Sequence, residues 1–189
     1  MKELKLTVAI DCPMHEVWDF VLNPENTPKW IDGIVAEETN ESPTKLGTVY
    51  KNQNREGSWT EYEITELNLG SMFVMSQKGG NYHVRYTLKP LDDDKCELEY
   101  HEWVDEGELE EPFTQDILNK LKTVMEAPRR YVITLKSGKQ LVTGKFDNDE
   151  AVLRWIRTGA AGIVYQNEQV RIIPHEVETI QRIEDDDKQ

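Results

Sequence analysis

Long apolar runs are missing from this sequence, and so is the apolar core of a secretion signal. No segment of the 189 residues approaches the roughly 20 apolar residues that a membrane-spanning helix requires. The mean hydropathy is −0.67, and residues 1–8 contain no apolar run of the kind that a signal peptide has. We therefore expect a cytoplasmic protein without a membrane span.

Cysteine and histidine are scarce, and neither is spaced to bind a metal. The two cysteines, Cys12 and Cys96, lie far apart in the chain, so we expect free thiols. The four histidines form no His-x-His or His-x-x-x-His pair. Glycine-rich phosphate loops and the Gly-x-Ser-x-Gly elbow of serine hydrolases are also missing. The sequence predicts no metal and no cofactor.

Basic residues are outnumbered by acidic ones in the first two thirds of the chain. Residues 1–127 contain 12 Lys and Arg against 26 Asp and Glu, whereas residues 128–189 contain 10 of each. All of the net charge of −14 therefore belongs to the first segment. Such a segment repels phosphate backbones, so we expect no nucleic-acid partner.

One stretch, residues 10–30, organises the predicted fold. Pro13 suits the first position of a helix, and Asn23-Pro24 ends that helix. Its apolar side chains recur at spacings of three and four, which predicts one buried face. Trp30 follows in a second short helix, and we expect it to be buried where it closes one end of the fold.

Several strand candidates follow, separated by short turns. Their close spacing predicts an antiparallel meander. A helical stripe then begins near Pro112 and covers about four turns. The strand candidates are residues 4–10, 34–39, 47–53, 59–67, 72–77, 82–88 and 96–104.

These features resemble the START/Bet v 1-like superfamily, which includes the polyketide-cyclase-like (SRPBCC) proteins. The resemblance covers residues 1–126 and implies an α+β helix-grip fold, in which a curved antiparallel sheet surrounds a C-terminal helix and can leave a cavity. Because the superfamily includes lipid carriers, cyclases, toxins and co-chaperone-like proteins, the resemblance implies no single activity. It rests on strand 4–10, Pro13, Val17-Trp18-Asp19-Phe20, Asn23-Pro24-Glu25, Trp30, Gly33-Ile34, Leu46-Gly47-Thr48-Val49-Tyr50 and residues 62–67.

Charge and element order both change near Pro128, which predicts a domain boundary. We expect a helix-grip domain at residues 1–127, a second unit at 128–184 and a disordered acidic tail at 185–189. The second unit has the predicted order ββαβββ, typical of a small β-rich SH3-like or Sm-like unit with one helix. It is a candidate for contact with a protein partner.

Alternation along strand 82–88 predicts a pocket wall. Tyr82, Val84 and Tyr86 share the apolar face, which should point inward, and the next strand adds its own apolar residues. Tyrosine offers such a pocket a wide ring and one hydroxyl. The predicted ligand-binding residues are Trp30, Tyr82, Val84, Tyr86, Leu98, Tyr100, Phe113, Ile117 and Leu121.

Three functions fit these observations. The first is non-enzymatic binding of a small apolar or aromatic ligand. The second is a cyclase or dehydratase, for which Glu102 and Tyr100 are the candidate acid or base, although the catalytic residues are unknown. The third is a protein-interaction module whose core is filled and holds no ligand.

Overall fold

A strongly curled sheet of seven antiparallel strands forms the framework of the first unit, residues 1–125. The computed structural model describes residues 2–143, 146, 149–158, 161–165 and 168–183. Along the sheet the strands lie in the order β1-β7-β6-β5-β4-β3-β2, so β2 to β7 form a meander and β1 pairs with β7. In chain order the strands are β1 (Glu3–Ile10), β2 (Ile34–Thr39), β3 (Val49–Asn54), β4 (Trp59–Asn68), β5 (Met72–Gln77), β6 (Tyr82–Asp92) and β7 (Lys95–Val104).

Three helices complete this unit. They are α1 (Met14–Leu22), α2 (Thr27–Trp30) and α3 (Gln115–Glu126). The order of one strand, two helices, a meander and a final helix confirms the predicted α+β helix-grip fold. The final helix begins at Gln115 rather than near Pro112, so Phe113 belongs to the segment that precedes it.

The strand register brings the predicted apolar face into the core. Tyr86 lies opposite Tyr100 on β7, and its exposed fraction is only 8%. The Tyr86 ring stacks on Phe73 at 4.7 Å between ring centroids, which places it on the inner side of the sheet as predicted. Trp30 is 1% exposed, which confirms its predicted burial, and it meets Phe113 edge-on at 5.9 Å.

The second unit begins at Glu126 and has its own small core. The element order is ββαβββ, as predicted, with a short 3-10 helix (Pro174–Glu176) before the last strand. The described strands pair as two separate sheets, β12-β8-β9 and β10-β11, and the predicted 185–189 tail lies outside the described residues. Its elements are β8 (Arg130–Leu135), β9 (Gln140–Val142), α4 (Asp149–Arg157), β10 (Ala161–Tyr165), β11 (Glu168–Arg171) and β12 (Val177–Ile183).

In the described part of the chain, no helix is both long enough and apolar enough to cross a bilayer.

Replacing Trp30 by alanine should strongly destabilise the first unit. The side chain is almost fully buried, and its loss leaves a cavity, so we expect the free energy of unfolding to fall by about 3–5 kcal/mol. Denaturant unfolding of the intact chain measures this. Trp59 is 45% exposed, so Trp59→Ala is a matched control that should cost less than about 1 kcal/mol. A loss below about 1 kcal/mol for Trp30→Ala would mean that Trp30 is a mobile gate rather than a core residue.

Residues 1–127 should fold without the rest of the chain. Every strand pairing of the seven-stranded sheet, and every buried side chain of the core it encloses, lies before residue 126. The fragment should therefore show a cooperative unfolding transition by circular dichroism. An unfolded fragment would show that the boundary near residue 127 does not separate two independent domains.

Candidate ligand-binding pocket

The inner face of the curled sheet encloses a cavity with a volume of about 120 Å³. Helices α1 and α2, strands β2 to β7 and the segment before α3 all contribute to its wall. The lining residues are Val21, Thr27, Trp30, Ile31, Ile34, Glu37, Asn52, Tyr62, Phe73, Met75, Tyr82, Val84, Tyr86, Tyr100 and Phe113.

Aromatic rings make up much of this wall and hold one another in place. Tyr100 stacks on Phe113 at 4.1 Å, and Tyr86 meets Tyr100 edge-on at 5.2 Å between centroids. Tyr86 also stacks on Phe73. Because each ring is packed against another, the wall cannot collapse into the cavity without breaking several contacts.

The structure brings six of the nine sequence-predicted ligand-binding residues to the cavity. These are Trp30, Tyr82, Val84, Tyr86, Tyr100 and Phe113. Leu98, Ile117 and Leu121 instead pack in the surrounding core, and Leu98 and Leu121 are fully buried there. Neither of the two α3 residues lines the cavity, whereas Phe113, just before the helix, does. Ligand contact by all nine remains a prediction.

Glu102, one of the two candidate catalytic residues, lies behind the wall rather than in it. Its side chain is only 1% exposed. Its Oε2 atom accepts hydrogen bonds from the hydroxyls of Tyr82 at 2.6 Å and Tyr100 at 3.2 Å. Its Oε1 atom accepts one from the backbone N–H of Phe113 at 2.7 Å. Both oxygens are thus engaged with the protein, whereas Tyr100, the other candidate, does line the cavity.

Glu37 on β2 is the carboxylate that faces the cavity, and sequence reasoning missed it. Thr27 at the start of α2 donates a hydrogen bond from Oγ1 to Glu37 Oε1 at 2.7 Å. Burial, which disfavours the charged form, raises the pKa of Glu37 to about 7. The carboxyl group therefore changes its protonation state near neutral pH.

A β-bulge explains why alternation did not reveal Glu37. Ile34 pairs with Asn54 and Ala36 with Gln53, so the register shifts between Ile34 and Ala36. Simple alternation would separate Ile34 and Glu37 onto opposite faces, yet both line the cavity. The bulge is a feature of how β2 pairs with β3, so the residues of β2 alone do not reveal it.

Two further polar groups of the wall lack a hydrogen-bond partner among the described residues. They are Trp30 Nε1, a donor, and Asn52 Oδ1, an acceptor, and both atoms are buried. Asn52 lies directly opposite Glu37 in the β2–β3 register. Opposite residues of antiparallel strands have Cβ atoms about 4.5–5.5 Å apart, so Glu37 and Asn52 form one polar corner of an otherwise aromatic cavity.

Basic side chains do not contribute to the lining, which contains no Lys, Arg or His. Within the described ranges, no group of three or more His, Cys, Asp or Glu side chains is placed to hold a metal ion. The arrangement thus offers aromatic faces, one carboxyl group, the amide oxygen of Asn52 and the indole N–H of Trp30.

Solved structures with the same fold include proteins from several bacteria. The chain is similar to the Bacillus cereus protein XoxI, with 15% identity, a TM-score of 0.53, and coverage of 66% of this chain and 95% of that one. It is similar to a START superfamily protein from Mycobacterium smegmatis, with 12% identity, a TM-score of 0.53 and coverage of 66% and 97%. The Aha1 dimer from Colwellia psychrerythraea gives 11% identity, a TM-score of 0.50 and coverage of 67% and 98%. At such low identities the likeness shows the fold alone.

Sequence comparison assigns the first unit to a family. No curated protein matches the chain. Residues 1–130 match the family described as "Polyketide cyclase / dehydrase and lipid transport". This match covers well over half of the chain and agrees with the START-like structural neighbours, so the protein belongs to the polyketide cyclase/dehydrase and lipid transport (SRPBCC) family.

Proposed function

We propose that the protein binds a small apolar or aromatic ligand, about one ring in size, in the helix-grip cavity without changing it chemically. The observation that carries this proposal is the cavity between sheet and helices, lined by seven aromatic side chains and a few polar groups. Such a wall gives a flat ligand a large contact area, while the few polar groups fix its orientation.

The volume of the cavity limits the size of the ligand. Drug-sized ligands occupy pockets of about 300–1,000 Å³, and the cavity here is about 120 Å³. An engineered cavity of about 150 Å³ in another protein is large enough to bind benzene. A single ring with one small substituent therefore fits this cavity, which is too small to take up a whole acyl chain or polycyclic product.

The cavity favours ligand binding over the interaction-module hypothesis. That hypothesis requires a filled core in the first unit, and the rings here surround open space. In the second unit, Val142 and Ile173 are each about half exposed, but single exposed apolar residues are ordinary on protein surfaces. Contact of this unit with a protein partner stays a proposal.

Glu37 favours one second candidate, a cyclase or dehydratase. A carboxyl group with a pKa near 7 suits a general acid or base at neutral pH, and Glu37 lines the cavity. Glu102, the candidate from the sequence, has both oxygens engaged by Tyr82, Tyr100 and Phe113. Consumption of a bound ligand, abolished by Glu37→Gln, would favour this candidate over simple binding.

Benzyl alcohol, a neutral one-ring probe, should bind saturably, and pyrene, with four fused rings, should not. Binding is measured by NMR titration of the Trp30 indole N–H resonance, because that side chain lines the cavity. In Tyr86→Phe the ring remains and only a hydroxyl is lost. If that hydroxyl bonds the probe, affinity should fall by about 0.5–1.5 kcal/mol, with little change in stability.

Two results would contradict this proposal. The first is no saturable response of the Trp30 resonance to benzyl alcohol or toluene. The second is equal binding of pyrene, which would mean that probes associate with the surface rather than enter the cavity.

Ionisation of Glu37 should lower the stability of the unliganded protein as pH rises. The folded-state pKa is about 7 and the ordinary value is 4.5, so the folded state binds more protons between these values. The free energy of unfolding should therefore fall from about pH 5 to about pH 7.5. Tyr50, Tyr62 and Tyr86 face Glu37, but burial raises their pKa values, so they stay neutral in this range.

The comparison between variants isolates this effect. Glu37→Gln should remove part of the pH slope, whereas Glu38→Gln, on the exposed side of the same strand, should keep it. Denaturant unfolding at several pH values measures both slopes. Equal slopes in the native protein and in Glu37→Gln would show that Glu37 ionises as it does in the unfolded chain.

A further inference from the structure

We propose that the polar end of the ligand is a small organic cation, an ammonium or methylated ammonium group that lies between Glu37, Asn52 and the surrounding aromatic rings. This inference rests on the proposed function, since it names the chemical class that the same cavity selects. Three independent features of the wall lead to it.

The first feature is the excess of acceptors in the polar corner. Glu37 Oε1 accepts a hydrogen bond from Thr27, and in its ionised form, above about pH 7, the carboxylate has further acceptor capacity. Asn52 Oδ1, directly across the strand pair, has no partner among the described residues. An ammonium group brings up to three N–H donors on one atom, so it can bond both neighbouring oxygens at once.

The second feature is the aromatic wall itself. A cation is attracted to the face of an aromatic ring, and desolvated sites strengthen this attraction. Aromatic cages that bind methylated ammonium groups use a few such rings. Seven rings line this cavity: Trp30, Tyr62, Phe73, Tyr82, Tyr86, Tyr100 and Phe113.

The third feature is the sign of the surrounding charge. An anionic ligand would meet Glu37 and would find no Lys, Arg or His in the lining to pair with. Burying an unpaired charge is costly, and a like charge beside it raises that cost. Residues 1–127 also carry the whole net charge of −14, which attracts cations and repels anions before they bind. Fatty acids and other carboxylates are therefore poor ligands for this cavity.

Trp30 adds one requirement that an ammonium group does not meet. Its buried indole N–H is a donor without a partner among the described residues, and it needs an acceptor. A hydroxyl, ether or carbonyl oxygen on the same small molecule would supply one. A compact amine that also carries an oxygen atom thus matches the wall best.

Three probes of nearly equal size but different charge test the proposal. Benzylamine is a cation at neutral pH, benzyl alcohol is neutral and benzoate is an anion. We expect benzylamine to bind at least about tenfold more tightly than benzyl alcohol, a difference of about 1.4 kcal/mol, and benzoate not to bind. Isothermal titration calorimetry and the Trp30 indole resonance measure the affinities at pH 8, where Glu37 is mostly ionised.

Matched variants show whether Glu37 causes the preference. Glu37→Gln keeps the shape of the side chain and should remove most of the benzylamine preference, while the affinity for benzyl alcohol changes little. Glu38→Gln, which removes one negative charge from the exposed side of the same strand, should keep the preference. A decrease of equal size in both variants would assign the effect to net charge alone and would overturn the role of Glu37.

The remaining outcomes separate this inference from the proposed function. Equal affinity for benzylamine and benzyl alcohol would overturn the cation assignment and leave ligand binding intact. Tightest binding of benzoate would also overturn it. Binding of none of the three probes would overturn both the inference and the proposed function.

Discussion

The buried carboxyl group of Glu102 holds together the parts from which the cavity is built. It accepts hydrogen bonds from the hydroxyls of Tyr82 and Tyr100, on two neighbouring strands, and from the backbone N–H of Phe113 just before α3. These bonds compensate the cost of burying the carboxyl group, and they connect the sheet to the segment that leads into the final helix. The bond to Phe113 holds its backbone against the sheet.

The aromatic wall follows from this arrangement. Phe113, placed by its N–H, stacks on Tyr100, and Tyr100 in turn supports Tyr86, which stacks on Phe73. Each ring is thus fixed by the next, from the segment before α3 to β5. Flat, rigid side chains fixed by one another can surround open space more stably than flexible aliphatic ones, which would rotate to fill it. This is why a core so rich in tyrosine retains a cavity.

The aromatic part of this wall could be predicted from the sequence, and the polar part could not. Tyr86 follows regular two-residue alternation on a strand without an early bulge, so its inward orientation was predictable. Trp30 was predictable because the short helix that bears it ends at the tryptophan. Glu37 was not, since it lies beyond the bulge in β2, and the pairing that creates a bulge depends on residues far away in the chain. Helix α3 begins at Gln115, three residues after the predicted start near Pro112, and the N–H of Phe113 between them is bound by Glu102 on another strand.

The burial of Glu37 is less well compensated by the protein than that of Glu102. A carboxyl group that faces a cavity of aromatic rings loses hydration, and Thr27 supplies only one hydrogen bond in return. Folding therefore opposes its ionisation, and an alanine or leucine at this position would avoid that cost. A ligand that brings a positive charge to the carboxylate would favour its ionised form. The low polarity that penalises an isolated charge also strengthens its attraction to an opposite charge. The cost of burying Glu37 in the free protein and a preference for cationic ligands are thus two consequences of one buried, aromatic environment. Glu102 shows the contrast, since three donors from the protein already compensate its burial, and it has no comparable need for a ligand.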